Sequence, residues 1–207
     1  MSTSPPSHER IRPPMQERSR QAWEKILEAG TWILENEGRD ALTIGRVCER
    51  AGVAATAIYR RVDGLSGLFW AIYDRGMSQI IATYHAELDR AAVLLEGTAA
   101  RVEGVVRAVT ETFERHTDFL HPIIIYSTSD KDIRERGSRE SLELVGMVAR
   151  LLPAPDSDAS WDVARLLHQE CTFRAMYGDT WLTHSPESYD AFVSRLTRLA
   201  RSRLSVS

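Results

Sequence analysis

The sequence predicts an all-α protein, in which an N-terminal three-helix domain with a helix-turn-helix precedes a larger helical domain. Apolar residues recur at helical spacing along most of the 207-residue chain, which is typical of amphipathic helices. A single glycine, Gly52, separates two short helical segments near the N-terminus. The three isoleucines at 123–125 resemble a strand but have no second strand to pair with, so we interpret them as part of a buried helix.

The N-terminal part of the chain divides into an arm and a compact helical unit. Residues 1–14 contain four prolines and lack apolar periodicity, so we expect a disordered arm. A helix is predicted over about 15–37 and should stop at Gly38, because glycine commonly follows a helix C-terminus. Thr43 is a good N-cap for the next helix, since its hydroxyl can accept a hydrogen bond from a backbone N–H. We assign residues 15–64 to this first domain.

Residues 65–207 form the predicted second domain. It begins with a long amphipathic segment from Leu65, which keeps a helical period for about six turns and would link the two domains. The segment 130–140 is highly charged, so we expect it to be exposed. Further helices are predicted near 98–117, 119–126, 142–152, 160–183 and 186–204.

The two segments that meet at Gly52 fit either a helix-turn-helix or an ordinary helical hairpin, and their spacing alone favours neither. Five elements follow one another over residues 43–68: Thr43-Ile44, Val47-Cys48, Ala51-Gly52-Val53, Ile58-Tyr59 and Leu68. In order and spacing, they resemble the DNA-binding signature of the TetR family of bacterial transcriptional regulators. The rest of the chain resembles that family only in length and helical character.

The resemblance implies that the second short helix lies in the major groove of DNA. It also implies that Tyr59 and Thr43 each contact a phosphate. Arginine side chains suit phosphates or a guanine edge, and Thr56 can contact a thymine methyl group. The expected DNA-contacting residues are Thr43, Arg46, Ala54, Ala55, Thr56, Tyr59, Arg60 and Arg61.

The predicted contact surface departs from the family pattern at Arg61-Val62, where the family often has His-Phe, and at three positions that become apolar. The family often has Ser or Thr where Ala54 and Ala57 stand, and Lys where Leu65 stands. These positions are apolar here. Our hypothesis is therefore that binding depends mainly on the aromatic and basic side chains at the end of the second helix.

Charge is unevenly distributed along the chain. The net charge is −3 at pH 7, yet residues 44–62 contain four arginines and a single glutamate. A small basic element on an otherwise acidic protein fits a compact DNA contact. A solvated charged face would have the same composition.

The second domain is larger than DNA binding requires, and the resemblance implies that it is an effector-binding and dimerisation domain. We expect a small apolar or aromatic effector in a pocket between helices. The residues expected to line it are Tyr84, Phe113, His116, Tyr126, Phe173 and Tyr177. Each of them, taken singly, also fits an ordinary core position. The resemblance implies a homodimer through the helices near 160–183 and 186–204.

These features together predict a ligand-responsive repressor that binds a pseudo-palindromic operator as a homodimer and is released by a small-molecule effector. A helical interaction module with degenerate DNA binding is the alternative, because the recognition helix is rich in alanine. An all-α enzyme is less favoured, because the sequence has no Gly-rich phosphate loop, nucleophile elbow or metal-ligand cluster. We expect no cofactor and no bound metal.

The sequence also bears on location. No apolar run approaches the length needed to cross a bilayer, and the N-terminus does not resemble a signal peptide. We therefore expect a cytoplasmic protein with no membrane partner. Cys48 and Cys171 are far apart in sequence, and we interpret both as buried thiols.

Overall fold

The structure is a computed structural model and describes residues 15–94, 97–155, 157–181 and 183–206. These residues form nine α-helices and one 3₁₀ turn at Arg39–Ala41, so the predicted all-α fold is confirmed. The predicted arm over 1–14 lies outside the described residues. The helices are α1 (Met15–Glu37), α2 (Ile44–Ala51), α3 (Ala55–Tyr59), α4 (Gly64–Leu94), α5 (Thr98–Arg115), α6 (Thr117–Ser127), α7 (Lys131–Leu151), α8 (Asp158–Tyr177) and α9 (Tyr189–Leu204).

The junction between α2 and α3 follows from its local sequence. The Thr43 hydroxyl accepts a hydrogen bond from the Arg46 backbone N–H at 3.2 Å and caps α2. Gly52 ends α2 with a φ of 65°, which glycine adopts without a steric penalty because it has no Cβ. Val47 of α2 and Ile58 of α3 are fully buried in the core that both helices share with α1.

Two glycines allow α4 to approach its neighbours closely. An added Cβ at Gly30 of α1 would lie 2.2 Å from the Cδ1 atom of Ile72 of α4. An added Cβ at Gly76 of α4 would lie 2.1 Å from the Cζ atom of Phe119 of α6. The long α4 helix is therefore packed tightly against the N-terminal three helices and against the larger group of helices.

The larger group is built around α5, which packs against α4, α6, α8 and α9. Its valines at 102, 106 and 109 are fully buried.

The helix α7 starts within the charged segment 130–140, where Asp130 caps it. The expectation that this segment is exposed is wrong at Ile133, which is buried. Within the same helix, Leu142 is 60% exposed.

The last two helices are shorter than predicted, and a segment with no helix separates them. Arg195 of α9 holds this segment in place by donating hydrogen bonds to Glu187 at 2.9 Å and to Glu170 of α8 at 2.9 Å.

Among the described residues, no helix combines the length and the apolar composition that a bilayer span requires.

Candidate functional site

The face formed by α2 and α3, which we call the α2–α3 face, carries the residues expected to contact DNA. All eight of these side chains, from Thr43 to Arg61, are exposed. Tyr59 is the most prominent large one, with 58% of its surface accessible. The two helices expose them because their apolar positions pack inward against α1.

The arginines of this face differ in their partners. Arg46 forms an ion pair with Glu37 of α1 at 2.5 Å, and the Arg50 guanidinium lies 3.2 Å from the ring centroid of Trp32. Arg61 donates a hydrogen bond to the Ser19 hydroxyl at 3.1 Å. Within the described part of the chain, Arg60 has no ion pair, hydrogen bond or ring contact of its side chain.

Arg39 joins the N-terminal helices to the rest of the molecule. Its guanidinium carbon lies 4.8 Å from the ring centroid of Phe69 on α4 and 5.1 Å from that of Tyr126 on α6. Arg75 of α4 adds an ion pair with Glu24 of α1. Cations over aromatic faces are attracted by the ring electrons, so these contacts connect α1, α4 and α6.

A cavity of about 230 Å³ lies between α4, α5, α6, α7 and α8. Its walls are mostly apolar. Tyr84 and Phe113, two of the six residues expected to line an effector pocket, do line it. The other apolar lining residues are Met77, Ile80, Leu120, Ile123, Ile124, Ile133 and Leu144.

Polar groups other than the six expected residues also line the cavity. The Tyr73 hydroxyl donates a hydrogen bond to Glu140 at 2.6 Å, joining α4 to α7. Burial and this bond raise the pKa of Tyr73 above its ordinary value. His168 and Thr172 contribute from α8. Tyr73 lies on the same helical stripe as Tyr84, and this spacing indicates from the sequence that the two share a wall.

His168 has an unusual environment. Burial lowers its pKa to about 4, from an ordinary value of 6.5, so the imidazole is neutral near pH 7. Its ring packs edge-on against Phe113, with 5.4 Å between the ring centroids. Its Nδ1 atom is buried and has no hydrogen-bond partner among the described residues.

The four other residues expected at an effector pocket lie outside this cavity. His116 shares a hydrogen bond with the Thr83 hydroxyl at 2.9 Å, and burial lowers its pKa. Tyr126 packs against Arg39. Phe173 and Tyr177 are exposed on α8, and Tyr177 stacks on Trp181 with 4.2 Å between the ring centroids. The structure therefore separates these four from Tyr84 and Phe113.

The outer surface of α8, α9 and the segment between them exposes several large apolar side chains. These are Phe173, Tyr177, Trp181 and Leu199. By contrast, the small residues Ala164, Cys171 and Ala175 of α8 are buried.

Among the described residues, no group of three His, Cys, Asp or Glu side chains is arranged to hold a metal ion.

Comparison of the sequence with protein-family models and with curated proteins found no match. Solved structures do match over most of the chain. A TetR-family transcriptional regulator from Streptomyces coelicolor has a TM-score of 0.66 at 18% identity, covering 94% of this chain and 95% of that one. A TetR/AcrR-family regulator from Thermobifida fusca has a TM-score of 0.61 at 18% identity, covering 89% and 96%. The chain has the TetR-family fold.

A third match is the multidrug binding protein EbrR, whose structure was solved in complex with imidazole. Its TM-score is 0.57 at 17% identity, covering 87% of this chain and 94% of that one. Identities this low establish the fold. Function has to be argued from the α2–α3 face and the cavity, because one fold can serve many functions.

Proposed function

We propose that this chain is a ligand-responsive, DNA-binding transcriptional regulator. The observation that carries the proposal is the α2–α3 face, on which all eight expected DNA-contacting residues are exposed. Several solved proteins with this fold are described as transcriptional regulators, which supports the same class of function here.

In this proposal α3 lies in the major groove, where Thr56 reaches base edges. Tyr59 and Arg60 bind phosphates. Arg60 is suited to this role because its guanidinium has no described protein partner, whereas Arg61 is bonded to Ser19 of α1. We assign Arg61 mainly to holding the end of α3 against α1, with a smaller direct share in phosphate binding.

One copy of so short a recognition helix contacts few base pairs, so the proposal includes a homodimer formed through α8 and α9. The large exposed side chains Phe173, Tyr177 and Leu199 support this interface, because clustered apolar surface often marks a protein contact. Two copies related by a two-fold axis would bind a pseudo-palindromic operator, with half-sites roughly 34–36 Å apart or at a related spacing.

The proposed effector site is the cavity, and α4 is the element that would transmit its occupancy. Tyr73, Met77 and Tyr84 of α4 line the cavity, while Leu68 and Ile72, nearer its start, are buried in the core with α1. A ligand shifts the DNA-competent state only if it binds one state better than the other. A coupling of about 1–3 kcal/mol would weaken operator binding 5–150-fold and so release a repressor.

Fluorescence anisotropy with labelled duplexes from the promoter regions of its own and neighbouring genes tests DNA binding. We expect wild-type protein to bind one of these duplexes more tightly at low salt, and the double variant Y59F/R60A to lose most of this binding. The control is R139A, which removes an exposed arginine from α7.

Two outcomes would contradict the proposal. If the wild type binds no duplex even at low salt, the interaction-module alternative is favoured. If R139A weakens binding as much as the double variant, the contact surface is elsewhere.

A second experiment tests the dimer. Sedimentation compares the wild type with the variant F173E/L199E, whose dimer should dissociate.

A further inference from the structure

The charged groups at the cavity already have protein partners. Arg134 donates hydrogen bonds to two carbonyl oxygens at the end of α6, at 3.2 and 3.4 Å. Glu140 accepts a hydrogen bond from Tyr73 at 2.6 Å and another from Arg136 at 3.0 Å. Apart from the exposed Arg134, whose carbonyl partners are uncharged, the lining offers no free counter-charge, and a charged ligand would lose hydration against the mostly apolar walls, which is unfavourable.

Among the described residues, four polar lining residues lack such partners: Ser138 and Ser141 on α7, and His168 and Thr172 on α8. His168 and Thr172 lie one helical turn apart on α8, so their side chains share a face. Neither side chain makes a hydrogen bond within the described part of the chain. Because Nδ1 of His168 is buried, Nε2 is the ring nitrogen that a molecule in the cavity can reach. A ring nitrogen and a hydroxyl on one helical face of a mostly apolar wall are the kind of polar group that orients a ligand by hydrogen bonding.

The chemistry of the imidazole narrows the partner. Burial holds the pKa of His168 at about 4, so the ring is uncharged near pH 7. A neutral imidazole offers one donor and one acceptor nitrogen. It can hydrogen-bond a hydroxyl or an amide, but it supplies no positive charge to hold a carboxylate.

The cavity volume sets the size of the ligand. An apolar cavity of about 150 Å³ accommodates benzene, which has six non-hydrogen atoms. The present cavity measures about 230 Å³, so in the same proportion it holds about nine. This corresponds to one ring with a few substituents.

We propose that the cavity binds an uncharged, mostly apolar molecule of single-ring size, with one hydroxyl or amide group that hydrogen-bonds to His168. This inference rests on the proposed function, because it gives the ligand class of the same regulatory site. Thr172 is placed to take part in the same contact.

Four probes of similar size test the ligand class by isothermal titration calorimetry on the full chain without DNA. They are p-cresol, toluene, benzoate and benzylammonium. We expect p-cresol to bind about tenfold more tightly than toluene, as one added hydrogen bond can provide, and both ions to bind more weakly than toluene. Tighter binding of either ion than of p-cresol would overturn the inference, as would failure of all four probes to bind.

Variants of His168 test the contact itself. H168F should bind toluene like the wild type but lose the preference for p-cresol, while H168Q should regain part of it. H116F is the matched control: it removes a half-buried imidazole outside the cavity and should keep the full preference. If H168F keeps the preference, the assignment of His168 is wrong.

The design stays decisive if H168F fails to fold, which circular dichroism would reveal. The four probes on wild-type protein then test the ligand class, and H168Q tests the histidine. DNA binding is measured separately by anisotropy. Failure of the probes together with intact operator binding would reject the inference and leave the proposed regulator standing.

Discussion

Among the described residues, the side chains of His168 in the cavity and Arg60 on the α2–α3 face have no hydrogen-bond or ion-pair partner. Their surroundings are nevertheless opposite. Arg60 is exposed, so its guanidinium can be hydrated by solvent. His168 is half-buried and packs against Phe113, and this burial lowers its pKa. A polar side chain without a protein partner therefore costs little stability on the exposed face, where water can bond to it. The same side chain lowers the stability of the fold when it lies in the cavity.

This difference changes what each region can recognise. We expect the face to suit a strongly charged polymer, because cations at a surface release counterions when they bind one. We expect the cavity to favour small neutral molecules, because its walls are mostly apolar and Glu140 is already bonded to Tyr73 and Arg136. The following predictions test this contrast, starting with the largest expected effect.

The pH dependence of stability tests the burial of His168. Its folded pKa of about 4 lies below the ordinary 6.5, so the unfolded chain takes up the proton first as the pH falls. The unfolding free energy of the wild type should therefore decrease relative to H168F between pH 6.5 and pH 4, by up to roughly 3 kcal/mol. Urea denaturation across this range measures the difference.

His116 also has a lowered pKa, but it is present in both proteins and its contribution cancels. A difference between wild type and H168F that does not vary with pH would mean that His168 is hydrated, and the contrast with Arg60 would fail.

The close approach of α4 and α6 can be tested with G76A. The new methyl group would overlap the ring of Phe119, so we expect a loss of about 1–3 kcal/mol in unfolding free energy. G45A is the control, because no atom lies near that position in α2 and alanine favours helix by up to about 1 kcal/mol over glycine. Equal effects of the two substitutions would contradict the packing described here.

Arg60 and Arg61 can be compared by the salt dependence of operator binding. We expect R60A to lower affinity about tenfold and to reduce the salt slope by about 0.9, the value for one phosphate contact. R61A should change the slope less, because its guanidinium is bonded to Ser19. A larger slope change for R61A would reverse the two roles.

The smallest expected effect comes from releasing Arg46. E37Q removes the carboxylate that pairs with it at 2.5 Å, so non-specific DNA affinity should rise a few-fold and the salt slope should steepen by at most about 0.9. The matched control is E103Q, which removes a carboxylate paired with Arg201 on α9. Unchanged DNA binding by E37Q would show that Arg46 does not reach the backbone.

The parts of the fold that sequence could predict depend on local chemistry. The bounds of α1 follow from its apolar stripe and Gly38, and the caps at Thr43 and Gly52 are set by residues within one turn. The exposure of the α2–α3 face follows from the same periodicity. All of these features involve neighbours in sequence.

The cavity could not be predicted in this way, because residues distant in sequence form it. Tyr73 and Glu140 are 67 positions apart and meet only when α4 packs beside α7. The sequence predicted Phe173 and Tyr177 at an effector pocket but could not show that both lie on the exposed side of α8. Likewise, the partner of Arg61 lies 42 positions away on α1.

The position of Arg39 between Phe69 and Tyr126 has a consequence for movement. A hydrogen bond weakens steeply when its angle departs from linearity, whereas a cation is attracted anywhere over a ring within about 6 Å of its centre. The Arg39 contact itself therefore tolerates small rotations that a hydrogen bond in its place would resist. The close packing at Gly30 and the ion pair between Arg75 and Glu24 still hold α1 to α4, so we expect the N-terminal helices and the start of α4 to move together.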